Sequence, residues 1–259
     1  MRKSIIFFVA LTMLACNKDQ AEIAEFNKNC SCAEEVSADF TMEDLASTVP
    51  ALFDYRTETD TTFEGSYVYF EAKDTNAEYT WYIGSEVIHE KNFTRKMEGS
   101  QLIGQQLPMT LVVKKAPNLV CFPNDDGYDS IIKSLTLVDF NSFDYYHNYN
   151  HLFEGTFRFK DHLKPGQDSI DVVVELKANG EDGVGYDRAL LYGMGHNNTD
   201  LELDGTWRIT YRQIFFQSGE GYSVQRMHHR MDGIVEIELL KIEGLNDPPP
   251  EYHLEGRKL

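Results

Sequence analysis

Apolar and polar residues alternate with a period of two through most of the chain after residue 66, which is the pattern of β-strands with one buried face. Ile132, Ser134, Thr136 and Val138, for example, alternate with Ile131, Lys133, Leu135 and Leu137. Turn residues separate these stretches, and no long helical periodicity interrupts them. The sequence therefore predicts an all-β protein, with strands at Tyr67–Ala72, Tyr79–Gly84, Leu107–Lys114, Ile131–Asp139, Phe153–Lys160, Ser169–Lys177, Ala189–Gly193, Gly205–Phe216, Tyr222–Met231 and Gly233–Ile242.

The two ends of the chain lack this alternation. Residues 17 to about 45 are polar and acidic, and Glu43-Asp44 would suit the start of a short helix over Met42–Thr48. We therefore expect residues 16–60 to form a tether. The stretch from Asn246 contains Pro248-Pro249-Pro250, which predicts an extended, flexible tail over residues 246–259.

Three strands in the first half carry a family resemblance. Phe70-Glu71-Ala72, Tyr79-Thr80-Trp81-Tyr82-Ile83-Gly84 and Thr110-Leu111-Val112-Val113 resemble a PKD-type module, an immunoglobulin-like β-sandwich, over residues 61–139. The chain has Gly84-Ser85-Glu86 where that family has Gly-Asp-Gly. The resemblance implies a sandwich with Trp81 in its core.

The second half predicts another antiparallel β domain over residues 153–245, either a second sandwich or a small barrel. Asp232-Gly233 is a hairpin turn signal between its last two strands, and the adjacent His228 and His229 should point to opposite faces of a strand. Gly205-Thr206-Trp207 resembles the Gly-x-Trp of lipocalins, which implies a small-ligand carrier as one alternative. Residues 140–152 connect the two domains and are rich in aromatic residues.

The N-terminus predicts export and lipid anchoring. Arg2 and Lys3 precede an apolar run that is shorter than the roughly 20 residues of a membrane span, as in a signal peptide. Met13-Leu14-Ala15-Cys16 resembles the lipobox of bacterial lipoproteins, which implies cleavage after residue 15 and lipidation of Cys16. The following Asn17-Lys18-Asp19-Gln20 resembles the signal of surface-exposed lipoproteins in Bacteroidetes. We therefore expect an outer-membrane, surface-exposed lipoprotein.

The net charge limits the possible binding partners, and the positions of the cysteines limit the possible disulfides. The formal net charge of −18 disfavours nucleic acid and anionic lipid as partners. In an exported protein a disulfide is permitted, and Cys30 and Cys32 are too close in sequence to bridge each other without strain. Either Cys30 or Cys32 could pair with Cys121, and we expect the pair Cys32–Cys121.

Two candidate ligand sites stand out. Tyr145, Tyr146 and Tyr149 in the aromatic linker could stack on sugar rings, or simply pack against the neighbouring domains. Calcium is the only cofactor that the sequence suggests, because hard oxygen ligands cluster at an acidic turn formed by Asn124, Asp125, Asp126 and Asp129. The same residues also make an ordinary acidic turn.

No motif of a catalytic nucleophile, metalloprotease or phosphate-binding loop is present in the sequence. We therefore expect a non-catalytic protein that binds glycans or envelope proteins. One alternative is a glycan-acting hydrolase with a pair of acidic residues in the C-terminal domain. The other is the lipocalin-like carrier, which requires a dry internal cavity.

Overall fold

The computed structural model describes residues 30–31, 33–45, 56–140, 152–178, 180–181, 187–194, 200–204, 206–216, 222–241, 244, 246 and 251–259. Over these residues the protein is all-β, as the alternation predicts, and a 3₁₀ turn spans Ser100–Leu102. Within the same residues, no helix has the length and apolarity needed to cross a bilayer.

Eighteen strands are described. Those of the first part are β1 Phe40–Leu45, β2 Arg56–Glu58, β3 Thr61–Phe63, β4 Tyr67–Ala72, β5 Glu78–Ile83, β6 Glu86–Ile88, β7 Asn92–Lys96, β8 Gln106–Lys114 and β9 Tyr128–Val138. Those of the second part are β10 Gly155–Asp161, β11 Ile170–Lys177, β12 Arg188–Tyr192, β13 Leu201–Asp204, β14 Thr206–Thr210, β15 Gln213–Phe216, β16 Tyr222–His229, β17 Val235–Lys241 and β18 Tyr252–Lys258.

The strands form three sheets with the orders β2-β1-β4-β7, β3-β9-β8-β5-β6 and β13-β12-β11-β10-β18-β17-β16-β15-β14. The described pairings are antiparallel except that of β3 with β9. The chain also divides into two compact units. One combines the residues up to Phe40 with Ala72–Lys91 and Thr110–Ile132, and the other combines Thr41–Glu71, Asn92–Met109 and Lys133–Leu259.

In the first unit, Trp81 is fully buried, as predicted for a core residue. Its indole nitrogen donates a hydrogen bond to the carbonyl of Glu90 at 2.8 Å, and its ring lies edge-on to Phe40 with the centroids 5.0 Å apart. The β5–β6 hairpin turns over two residues, Gly84 and Ser85, and Gly84 has a φ of 61°, which a residue without a Cβ adopts at no steric cost. The departure from Gly-Asp-Gly thus still permits a tight turn.

Two strands lie in the stretch predicted to be a tether. The helix expected at Met42–Thr48 is wrong, because β1 occupies Phe40–Leu45 and alternates buried and half-buried residues. The inward positions of β1 are Phe40, Met42 and Asp44. An acidic residue at an inward position hides the apolar alternation, and this is why the pattern did not reveal the strand.

The prediction of a flexible tail is also wrong. Strand β18 lies in the interior of the nine-stranded sheet, between β10 and β17. It joins two meanders, β10 to β13 and β14 to β17, into one sheet. Its inward positions are Tyr252, Leu254 and Gly256, so only two of the three carry an apolar side chain that sequence patterning could detect.

The nine-stranded sheet is curled. Its two edge strands, β13 and β14, are consecutive in the chain and separated by a single residue. In a flat sheet with strands about 4.8 Å apart, these edges would lie about 38 Å apart, whereas two peptide links span at most about 7.6 Å. The side chains on the inner face pack against each other in a core that includes Phe157, Phe159, Leu191 and Ile237.

The disulfide joins Cys30 to Cys121, with their Cα atoms 5.5 Å apart. The tentative choice of Cys32 was therefore wrong, and Cys32 itself lies outside the described residues. Spacing could not distinguish the two cysteines, because both lie about 90 residues from Cys121.

We expect Cys30→Ser to lower the free energy of unfolding by about 4–5 kcal/mol, because the disulfide closes a long loop and restricts the unfolded chain. Urea unfolding measures this change. Cys32→Ser is the matched control and should leave both the stability and the disulfide intact. A peptide map of the wild-type protein without reductant that links Cys32 to Cys121 would contradict the Cys30–Cys121 pairing.

Gly256 of β18 allows a close approach between strands. A Cβ atom at this position would lie 2.5 Å from the carbonyl oxygen of Arg158 and 2.5 Å from the ring of Phe159. We expect Gly256→Ala to destabilise the protein by at least about 1–3 kcal/mol through overpacking, as measured by thermal or urea unfolding. Gly166→Ala is the control, because a Cβ there meets no atom within 4 Å; equal stability of both variants would count against this packing.

Candidate functional site

The outer face of the nine-stranded sheet carries a row of ionisable residues across four strands. His228 of β16 faces Glu236 of β17, Glu236 faces Glu255 of β18, and Glu255 faces Lys160 of β10. Outward positions of antiparallel strands stand side by side, so the alternation that buries the inner face also aligns these groups. The two glutamates are like charges directly opposite each other, an arrangement that needs a cation nearby.

Arg230, just after β16, supplies that cation. Its Nη1 atom lies 3.2 Å from Oε1 of Glu236 and 3.9 Å from Oε1 of Glu255, and its Nη2 atom donates to Asp232 at 2.9 Å. Although partial burial acts in the other direction, these carboxylates raise the pKa of Arg230. The guanidinium is therefore charged and held in place by three carboxylates.

Beside Arg230 is an open depression of about 330 Å³, lined by Glu58, His228, Arg230, Met231 and Asp232. His228 places Nδ1 at 3.1 Å from Oε2 of Glu236. Burial lowers the pKa of His228 despite this carboxylate, so the imidazole is neutral at pH 7. The depression thus offers a cation, carboxylates, a neutral imidazole and an exposed thioether within one small space.

As predicted, the two adjacent histidines face opposite sides of β16. His229 receives a hydrogen bond at Nδ1 from Nη1 of Arg212, 3.2 Å away. An arginine can only donate, so Nδ1 is the acceptor and the imidazole is neutral. Burial, together with the charge of Arg212, also lowers the pKa of His229. Arg212 makes a second contact, from Nη2 to Oδ1 of Asp60 at 2.8 Å.

The most strongly perturbed acid, Asp44, lies in the same unit as Arg212. Its side chain is fully buried and accepts a hydrogen bond from the hydroxyl of Thr62. Burial raises the pKa of Asp44 to about 7, against the opposing effects of Thr62, the Tyr211 backbone and the charge of Arg212. Asp44 has no solvent access, so a ligand cannot reach it. We therefore interpret its contacts as part of the protein interior and not as a ligand site.

A pair of acidic residues lies on edge strand β13. Glu202 is paired with Arg188, and burial together with Glu202 raises the pKa of Asp204. The hydrolase alternative requires two carboxyls facing each other in a cleft. Neither the depression beside Arg230 nor the larger one next to it, described below, is lined by Glu202 or Asp204.

The carboxylates predicted as calcium ligands accept hydrogen bonds from backbone N–H groups. Asp125 and Asp129 accept hydrogen bonds from the backbone N–H groups of Val36 and Ala38, at 3.0 and 2.7 Å. Other oxygens of the turn accept from its own backbone, as Asp126 does from Tyr128 at 3.0 Å. Asn124 is exposed, and among the described residues no three acidic, histidine or cysteine side chains are grouped to hold a metal ion. Backbone amides already bind these carboxylates, which favours the ordinary acidic turn, and the calcium site stays a prediction.

The remaining predicted site residues, Cys16, Tyr145, Tyr146 and Tyr149, lie outside the described residues. The residues around Arg230 were not predicted as a site. Two signals did point to this region, namely the Asp232-Gly233 turn and the adjacent histidines. Neither could reveal the depression, because Glu58 comes from a distant part of the chain.

Asp44 predicts a specific pH dependence of stability. Its folded pKa of about 7 lies above the value of about 3.9 expected for an unfolded chain. Between these values the folded protein retains a proton that the unfolded chain releases, so Asp44 lowers stability as the pH rises, by up to about 1.4 kcal/mol per pH unit. In urea unfolding from pH 4.5 to 7.5, Asp44→Asn should remove this decline.

Asp171→Asn is the control for that experiment. Asp171 is an exposed carboxyl whose pKa is held below its usual value by hydrogen bonding to Arg158. Its titration falls below the tested range, so the slope of this variant should equal that of the wild type. An unchanged slope in Asp44→Asn would show that Asp44 is ionised in the folded protein.

Comparison with known proteins adds no relative. No family model matches the sequence, and neither the curated proteins nor the solved structures give a significant match. The PKD-type and lipoprotein resemblances therefore stay predictions from the residues that carry them, and the function has to be argued from the site alone.

Proposed function

We propose that this chain is a lipid-anchored, surface-exposed protein of the outer membrane that binds a glycan or an envelope protein without turnover. The anchor rests on the predicted signal peptide and Cys16. The observation that carries the binding function is the open depression beside Arg230, where charged and neutral polar groups are held in fixed positions. Of the two ligand classes, a glycan fits this depression better.

A sugar ring presents hydroxyl groups that both donate and accept hydrogen bonds, next to apolar C–H faces. Arg230 donates, Asp232 and Glu58 accept, and the exposed thioether of Met231 supplies an apolar contact. The volume of about 330 Å³ lies at the lower end of the range for small-ligand sites. Because Arg230 is already held by three carboxylates, little side-chain entropy is lost when a ligand binds.

The two alternatives find less support. A hydrolase needs its acid pair in a cleft, whereas Glu202 and Asp204 lie on an edge strand away from both depressions described here. A carrier needs a dry cavity inside the curled sheet, whereas the inward side chains described there, such as Phe157 and Phe159, pack against each other. A binding protein needs neither feature.

The test is an array of plant, host and bacterial glycans probed with the full-length lipoprotein in detergent micelles. Saturable binding to one glycan class is the expected result. Removing calcium with a chelator should not change binding, because the carboxylates of the acidic turn are hydrogen-bonded to backbone amides. A blank array would contradict the glycan proposal and leave an envelope protein as the partner.

The site itself is tested by Met231→Ala. This side chain is 45% exposed, so its removal should leave the fold intact. It should weaken glycan binding about tenfold, by loss of roughly one buried side-chain contact. Leu240→Ala is the matched control, since Leu240 is a similarly exposed apolar residue (37%) outside the depression. Equal affinity of the two variants would place the ligand elsewhere.

A further inference from the structure

A second depression lies on the same sheet, on the other side of the turn that follows β16. It has a volume of about 520 Å³ and is bordered by β10, β18 and Ile234. Arg158, Lys160, His162 and Arg257 line it, with Glu255 as the one acidic side chain. A basic surface of this kind is unexpected in a chain with a net charge of −18.

Two of these basic groups are already paired. Arg158 donates from Nε and Nη2 to the two oxygens of Asp171, both at 2.8 Å. His162 places Nε2 at 3.0 Å from Oε2 of Glu255. These partners hold Arg158 and His162 in position, and Asp171 neutralises the charge of Arg158.

The other two basic residues, Arg257 and Lys160, are not paired with a carboxylate in this way. Nη1 of Arg257 donates to the backbone carbonyl of Asp232 at 2.6 Å, while the carboxylate of Asp232 accepts from Arg230. The side chain of Lys160 is exposed and, among the described residues, makes no hydrogen bond and no ion pair. Its ammonium group is therefore free to meet an anion from solution.

The register of the two strands adds a second observation. Arg158 of β10 and Arg257 of β18 are direct cross-strand partners, and both are exposed. Like charges in this position destabilise a sheet. An anion bound near both guanidinium groups would convert part of that repulsion into attraction.

We propose that this second depression binds the carboxylate of a sugar acid within an anionic polysaccharide. The inference rests on the proposed function and names the class of glycan. Ile234, Leu259 and the aliphatic stem of Lys160 offer apolar contacts for the C–H face of a sugar ring. The arginine and lysine groups provide the donors for a carboxylate.

The position of the turn supports a ligand longer than one sugar ring. Residues of the segment 230–234 line both depressions, Met231 and Asp232 the first and Ile234 the second. The hydrogen bond from Arg257 to Asp232 connects the turn to β18 between them. A saccharide chain that crosses this turn places its hydroxyl groups beside Arg230 and an acidic group beside Lys160.

The long-range charge of the protein does not prevent such binding. At physiological salt, charges are screened beyond about 8 Å. An anion in the depression is therefore governed by the basic groups that line it and only weakly by the acidic surface elsewhere. Binding should accordingly depend on the local lysine more than on the net charge.

The experiment is calorimetric titration of the full-length lipoprotein in detergent micelles. The probes are oligosaccharides of galacturonate, alginate and hyaluronan, each compared with its carboxyl-reduced form, in which the acid is an alcohol. We expect at least one acidic oligosaccharide to bind, with its reduced form weaker by at least about tenfold, as loss of a charge-assisted contact predicts.

Lys160→Gln locates the site. Loss of an exposed ionic contact should weaken binding of the acidic probe about fivefold and leave the reduced form unaffected. Lys241→Gln is the matched control, because it removes the same charge from an exposed position on β17, outside the depression. An identical effect of both variants would overturn the assignment to this depression.

The outcomes also separate this inference from the proposed function. Equal binding of acidic and reduced probes, or binding of neutral glycans alone on the array, overturns the sugar-acid inference and leaves glycan binding intact. Absence of binding to every glycan, neutral or acidic, overturns both.

Discussion

The pairing of β10 with β18 is the constraint on which the second half of the molecule depends. These strands are separated by about 90 residues, yet their contact joins two four-stranded meanders into one sheet. The chain passes close to itself there, because Gly256 lies against the backbone of Arg158 and the ring of Phe159. Without this approach the two meanders would be separate sheets, and the interior that they share would be open to water.

The same pairing creates the outer surface. Because side chains alternate along a strand, the register that buries Phe159 and Leu254 also places Lys160 beside Glu255 and Arg158 beside Arg257. Two like-charged pairs lie on this surface: Glu236 with Glu255, from the pairing of β17 with β18, and Arg158 with Arg257, from the pairing of β10 with β18. Arg230 relieves the first and Asp171 part of the second. The surface is therefore an ordered set of charges, which distinguishes it from an ordinary solvated face.

Burial accounts for the remaining unusual electrostatics. Asp44 is buried beside one hydroxyl group and a more distant arginine, so its neutral form is favoured. Burial acts to raise the pKa of Asp60, but the hydrogen bond and charge of Arg212, together with the Thr61 hydroxyl and the local backbone, hold this pKa below its usual value. Two aspartates of the same unit thus differ in charge at mildly acidic pH, because Asp44 is fully buried whereas Asp60 is partly exposed and bonds the guanidinium group.

A strand could be predicted from the sequence only where neighbouring residues showed the alternation of apolar and polar side chains. Strands such as β4 and β8 were predicted nearly to the residue, because alternation with a period of two can be recognised within one short segment of sequence. Strands β1 and β18 were missed, because an inward Asp44 and an inward Gly256 break that alternation. The reason why these two residues are buried is visible only from their partners. Thr62 donates a hydrogen bond to Asp44, and Phe159 lies against Gly256.

By itself, the sequence determined the all-β class, the core position of Trp81, the opposite orientations of His228 and His229, and an acidic chain with the features of a lipoprotein signal. The tertiary structure decided which cysteine pairs with Cys121, that the acidic turn holds backbone amides, and where basic groups gather. The reason is physical: side-chain alternation and charge are properties of nearby residues, whereas disulfides, strand partners and depressions depend on contacts between segments far apart in the chain.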